Sequence, residues 1–191
     1  MFKRFVDRQI STSFLIFWFV ITNYRLIRYF CKMKAVSIKQ IKDELKFRRK
    51  EDLEALLLRL GRFKAENKEL LTYLLFNSQN ESGYIESIKS ELEDDFTNIN
   101  TNSPFYIKKS LRKMIRKIRK FSRYSNYNET EIELYLYFAR KIRDYPYRLL
   151  QHSNILKIYQ QQITHIKNKL PKLHQDLQYD FKIELEELII N

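Results

Sequence analysis

Glycine and proline are scarce: Gly61, Gly83, Pro104, Pro146 and Pro171 are the only ones in 191 residues. An all-β chain needs many tight hairpin turns, and those turns need glycine, so this scarcity argues against one. A glycine-rich phosphate loop is excluded for the same reason, and with it the usual nucleotide-binding motifs. Cysteine is limited to Cys31, which cannot form an internal disulfide, so a reducing cytoplasmic setting is expected. The three histidines, His152, His165 and His174, lack the His-x-x-x-His and Glu-x-x-His spacings that would set metal ligands on one helical face. Glu129, Glu131 and Glu133 lie two apart and fan around a helix, which suits helix-capping and solvated carboxylates. No catalytic or cofactor motif is visible, so the expected function is not enzymatic.

What the chain does have is apolar residues at helical spacing. Hydrophobic residues make up 44% and aromatics 15%, enough for a proper core at this length. "SIKQIKDEL" has Ser37 and Gln40 at capping-box spacing, which predicts a helix start near Ser37. "EDLEALLLRLGRF" places Leu53, Leu56, Leu57 and Leu60 on one face behind acidic first-turn residues. "KAENKELLTYLLF" continues to about Phe76, and "NSQNESG" reads as a loop. Ile85, Ile88, Leu92, Phe96 and Ile99 recur at three and four. Ser103-Pro104 breaks that helix and starts the next. Asn128 or Thr130 is a candidate cap for "ELYLYFARKI", Pro146 is expected to open the following helix, and Pro171 to interrupt it. The fold class is all-α, as an irregular multi-helix bundle or an array of antiparallel helical hairpins. A short HEAT-like solenoid is the alternative.

The net charge is +13, but residues 1–32 hold six Lys or Arg against one Asp. The surplus of eight left on residues 33–191 is ordinary for a soluble domain. Its arrangement is more informative than its size. Within "FYIKKSLRKMIRKIRKFSRYS", over 105–125, Leu111, Met114, Ile115, Ile118, Phe121 and Ser122 share one sector of a helix at about 100° per residue. Lys108, Lys109, Arg112, Lys113, Arg116, Lys117, Arg119, Lys120 and Arg123 occupy the opposite half, with no acidic residue among them. Such a face suits an anionic protein partner, nucleic acid or an anionic membrane. The preceding helix carries Glu81, Glu86, Glu91, Glu93, Asp94 and Asp95, so internal ion pairing is the competing explanation. Leu156, Tyr159, Ile163, Ile166 and Leu170 have the spacing of a coiled-coil seam, open to a homo-oligomer or to packing inside the domain. The function these features suggest is a cytoplasmic helical interaction or adaptor protein binding another protein. Nucleic-acid or anionic-lipid binding through the basic helix is the alternative.

The segments "ENKELLTYLLF", "GYIESIKSELEDDF", "KKSLRKMIRKIRKFSRYS" and "ETEIELYLYFARKI" resemble those of a group of small, uncharacterised, all-helical bacterial proteins, over roughly Ala65 to Asp144. The resemblance implies a helical domain and no activity, cofactor or binding residue. It also implies a beginning close to "MKAVSIKQIKDEL". That bears on "SFLIFWFVIT", the most hydrophobic stretch. Residues 1–32 contain the only Trp and Cys and no Glu, Ala, Gly or Pro, whereas the rest has fifteen Glu. Three readings stand: a start at Met33, a membrane anchor over residues 9–24, or a helix packed on the domain. The anchor is short, since sixteen uncharged residues separate Arg8 from Arg25 and span about 24 Å against a hydrocarbon core of about 30 Å.

Overall fold

The computed structural model describes residues 35–146 and 148–189. The "SFLIFWFVIT" stretch, the anchor over residues 9–24, Cys31 and the start at Met33 lie outside the described residues. The described residues divide into two units, with the boundary between Leu56 and Leu57. Among the described residues there are eight α-helices and no strand. In the first unit α1 (Ile38–Leu45) begins with the expected capping box: Ser37 Oγ accepts from Gln40 N–H, and Gln40 Oε1 accepts from Ser37 N–H at 3.0 Å. Then comes α2 (Lys50–Phe63), inside which the division between units falls.

The second unit continues with α3 (Ala65–Thr72), prolonged by a π-helical turn, Tyr73–Asn77, that swings Tyr73 into the core. The loop expected over "NSQNESG" is shorter than its composition suggests. Asn80 Oδ1 accepts from Gly83 N–H at 3.0 Å and starts α4 (Glu81–Thr97) inside it. A β-carbon at residue 83 would lie 2.6 Å from Asn80 Nδ2, so the bare glycine is what lets this cap close. Ser103 and Pro104 start α5 (Pro104–Ser125) as expected, with Ser103 Oγ accepting from Phe105 N–H at 3.3 Å. Asn126 ends α5 in the left-handed conformation, φ 61°, which asparagine tolerates better than most residues.

Only Asn126 and Tyr127 separate α5 from α6 (Asn128–Arg143). Neither Asn128 nor Thr130 caps it, contrary to expectation: Asn128 already lies in the first turn, and Thr130 Oγ1 donates to Glu81 Oε1 at 2.6 Å instead. Pro146 does not open the next helix either. Arg148 turns left-handed at φ 46°, a short 3-10 turn covers Leu149–Gln151, and α7 begins only at Ser153, running to Lys169. Leu149 is fully buried in that turn, which pins the detour to the core. A second 3-10 turn at Leu170–Lys172 carries Pro171, and α8 (Gln175–Leu188) completes the unit.

The core forms around α6. Ile132, Leu134, Tyr135, Leu136, Phe138, Ala139 and Ile142 are all buried, more than one helical face, because α6 packs against α4, α5, α7 and α8. All four partners lie one or two helices away in the chain, a pattern that an array of antiparallel hairpins and a short solenoid share, and the shared architecture is an all-α multi-helix array. Phe96 on α4 stacks against Phe138 with centroids 5.7 Å apart. The α7 seam faces this core: Tyr159, Ile163 and Ile166 are buried and Leu156 and Leu170 half-buried, so its heptad spacing serves packing inside the unit. Tyr159 Oη donates to the Leu188 carbonyl and ties down the end of α8. No described helix is long and apolar enough to cross a membrane.

Candidate functional site

The 22 residues of α5 span about 33 Å. Its apolar sector is where the periodicity puts it: Ile107, Leu111, Met114, Ile115, Ile118 and Ser122 are buried, and Phe121 is half-buried. The nine cations on the other half do not behave as one face. They separate by angle into a flank and a stripe.

Lys113, Lys117 and Lys120 form the flank, at about 220° to 280° from Ile107, and meet carboxylates of α3 and α4. Lys117 Nζ lies 2.5 Å from Asp95 Oδ2 and 3.3 Å from Glu91 Oε2. Lys113 reaches the other Asp95 oxygen at 3.4 Å, and Lys120 pairs with Glu69 at 2.8 Å. The side chains of Lys117 and Asp95 are only 21% and 19% exposed, so these charges are partly withdrawn from water. Burial pushes the Lys117 ammonium down and the Asp95 carboxyl up. Their attraction, with Glu91 and Lys113 adding to it, outweighs burial and holds Lys117 above and Asp95 below its ordinary value. The hydrogen bond from Lys120 is the main force holding the Glu69 carboxyl low; burial opposes it, and a hydrogen bond from Tyr124 Oη at 2.9 Å adds to it. Internal pairing is thus the fate of these three lysines.

Phe105, Lys109, Arg112, Arg116, Arg119 and Arg123 follow one another at four, three, four, three and four, a stripe about 80° wide centred near 160°. All six are exposed. Lys109, Arg112 and Arg116 have no carboxylate within ion-pair distance among the described residues, nor does Lys108, which is half-buried at the stripe's edge. At the far end Arg123 reaches Glu66 on α3 at 2.6 Å, and Arg119 Nε donates to Tyr135 Oη at 3.4 Å.

Arg119 and Arg123 also wall a cleft of about 390 Å³ at the junction of α5, α6 and α7, with Ser122, Asn126 to Asn128, Glu131, His165 and Lys169. The two-residue connection brings the end of α5 against the first turn of α6. No side chain caps that turn. From α7, His165 Nε2 and Lys169 Nζ reach Glu131 at 2.8 and 2.7 Å, and the His165 ring packs edge-on against Tyr135 at 4.8 Å. Burial raises the Glu131 carboxyl, but the bonds from Lys169 and His165 outweigh it and hold the group below the usual carboxylate range. Glu131 is therefore not a solvated capping residue, as its spacing suggested. Glu133 is likewise bound, at 2.8 Å from Lys89. The Ser122 hydroxyl is buried and has no hydrogen-bond partner among the described residues.

Nothing local in the sequence marks Ser122, Glu131, His165 and Lys169 as neighbours, since Glu131 and Lys169 are 38 residues apart. Among the described residues no group of three His, Cys, Asp or Glu could hold a metal ion. What the helix and cleft can do chemically is bind anions. Comparison of the chain with protein-family models, with curated proteins and with solved structures finds no match.

Proposed function

We propose that the protein is a non-enzymatic helical interaction module of the cytoplasm that binds an acidic surface of another protein through the exposed stripe of α5. One observation carries this: Phe105, Lys109, Arg112 and Arg116 all face solvent, and the three cations lack the internal carboxylates that Lys113, Lys117 and Lys120 possess. An exposed aromatic beside two arginines has the composition of an interface hot spot. The Phe105 ring meets the half-exposed Tyr106 ring edge-on at 5.6 Å, so two aromatic rings stand together at this end of the stripe. Guanidinium groups also suit carboxylates better than ammonium does, because two parallel hydrogen bonds fix the geometry.

The stripe is narrow, and this favours a protein over a broad polyanion. It runs about 17 Å from Phe105 to Arg116. Glu66, Glu69 and Glu91 lie along one side of it, each already holding a cation. A nucleic-acid duplex pressed onto α5 would meet those carboxylates as well. An acidic helix laid along the stripe would not. The lone Cys31, which can form no internal disulfide, supports the cytoplasmic setting.

The test is titration of the full chain with a glutamate-rich helical peptide, and separately with duplex and single-stranded DNA, at low and physiological salt. The expected result is peptide binding that the double substitution Arg112→Glu, Arg116→Glu weakens about tenfold or more. Equal peptide affinity in the double variant would overturn the proposal. So would DNA binding whose log affinity falls by about 0.9 per phosphate contact for each tenfold rise in salt and is lost in the variant, which would put nucleic acid in the partner's place.

A further inference from the structure

The cleft at the end of α5 is a separate matter from the stripe, and its donors suit a small ligand. We infer that it is a binding site for a tetrahedral oxyanion of the phosphate class, held by Arg119, Arg123, Lys169, the Ser122 hydroxyl and the first turn of α6.

Charge comes first. Arg119, Arg123 and Lys169 line the cleft against the single carboxylate of Glu131; Arg123 is also held by Glu66 of α3 at 2.6 Å, so the unanswered charge of the cleft, before His165 is counted, is that of Arg119. Glu131 does not fill the role of the anion. It is engaged by His165 and Lys169 on the α7 side, while both guanidinium groups stand on the α5 side. The single contact of Arg119 with Tyr135 leaves most of its donors unused.

Two further features point the same way. The N-terminal turn of α6, a helix of 16 residues, opens at the cleft with no side chain among the described residues bonded to its N–H groups, and such a turn favours anions through its unpaired donors and its dipole. A helix start alone would mean little. The second feature is Ser122, which is 6% exposed, lines the cleft and has a hydroxyl with no partner among the described residues. A buried hydroxyl left unbonded costs free energy that a ligand oxygen would recover. Guanidinium, ammonium, hydroxyl and backbone N–H approach from three helices, an arrangement that suits oxygens pointing in several directions rather than the flat edge of a carboxylate. The volume, about 390 Å³, lies at the small end of ligand pockets, which run from about 300 to 1,000 Å³, and leaves room for a phosphoryl group and the atoms that carry it.

The experiment is an NMR titration of the full chain with inorganic phosphate, sulfate, acetate and glycerol 3-phosphate at constant ionic strength, following the Ser122 and Asn128 amides and the Arg119 side chain. Saturable shifts with phosphate and sulfate at about millimolar concentration, and none with acetate, are expected. Arg119→Gln is expected to weaken phosphate about tenfold, the effect of losing a charge-assisted hydrogen bond. Ser122→Ala is expected to weaken it by a few-fold while leaving the fold unaltered, because the hydroxyl it removes bonds to nothing. The Arg112→Glu, Arg116→Glu variant should bind phosphate as the parent does, so this site can stand or fall apart from the stripe. Tighter binding of glycerol 3-phosphate identifies a phosphorylated ligand, and equal binding identifies the free ion; either supports the site. Absence of saturable shifts, acetate binding as strong as phosphate, or phosphate binding unchanged in both Arg119→Gln and Ser122→Ala would overturn it.

Discussion

Replacing Lys117 with methionine tests the flank of α5. Methionine keeps the apolar stem and removes the ammonium, so the loss is electrostatic. Lys117 holds Asp95 at 2.5 Å and Glu91 at 3.3 Å. Once it is gone, Asp95 keeps only the more distant and exposed Lys113, 3.4 Å away. Exposed pairs contribute about 0 to 1 kcal/mol, and breaking a fully buried pair costs about 3 to 5 kcal/mol. A pair about one-fifth exposed on both sides falls between them, at about 1 to 2 kcal/mol. In urea this would shift the midpoint by about 0.5 to 1 M, taking a slope of about 2 kcal/mol per M.

The pH dependence makes the test specific. The Asp95 pKa is lowered on folding from an ordinary value of 3.8, so its stabilisation is present above that value and is lost as pH falls through the lower folded value. The Lys117 pKa is raised from 10.5, so its share is complete below that value and is lost as pH rises through the higher folded one. At neutral pH both contribute fully. The difference between parent and Lys117→Met is therefore expected to be largest near pH 7 and to shrink as pH falls below 3.8. A difference that stays constant from pH 7 into that acid range would refute the ion-pair reasoning and assign the loss to packing of the side-chain stem.

Two further substitutions probe the ties around the core. Glu81 accepts hydroxyl hydrogen bonds from Tyr73 at 2.8 Å, from Thr130 at 2.6 Å and from Ser125, so Glu81→Ala strands the hydroxyls of Tyr73 and Thr130, while Ser125 keeps the Thr130 oxygen as an acceptor at 3.2 Å. The substitution is expected to cost about 3 kcal/mol in urea unfolding, and a loss below about 1 kcal/mol would mean that those hydroxyls find other acceptors. Tyr159→Phe removes only the bond to the Leu188 carbonyl. Amide exchange in the last turn of α8 is expected to quicken about fivefold, as about 1 kcal/mol of local stability is lost, while exchange in α6 is unchanged; equal acceleration in both helices would show that the bond does not act locally.

The parts of this structure that the sequence announces are those decided within one helical turn. Ser37 and Gln40 find each other because they are three residues apart, Pro104 marks a helix start by its own ring, and the apolar sector of α5 follows from its period. Each failure had a distant cause. Thr130 has the chemistry of a cap but is taken by Glu81, 49 residues away, and Pro146 gives way to a turn pinned by the burial of Leu149. The angular division of the α5 cations was computable from their spacing. Which side would meet carboxylates was not, because that depends on where α3 and α4 pack. The cleft was out of reach altogether, since Glu131 and His165, each unremarkable in its own helix, are joined only by the approach of α6 and α7.

The division of α5 into a structural flank and a binding stripe is tested most directly by titrating the glutamate-rich peptide against two triple variants side by side. One is Lys113→Met, Lys117→Met, Lys120→Met, and the other is Lys109→Gln, Arg112→Gln, Arg116→Gln. Each removes three positive charges, so the net charge of the two proteins is the same. The flank variant is expected to bind the peptide as the parent does, and the stripe variant to bind about tenfold or more weakly. Equal losses in both would show that only total charge matters, and would contradict the division.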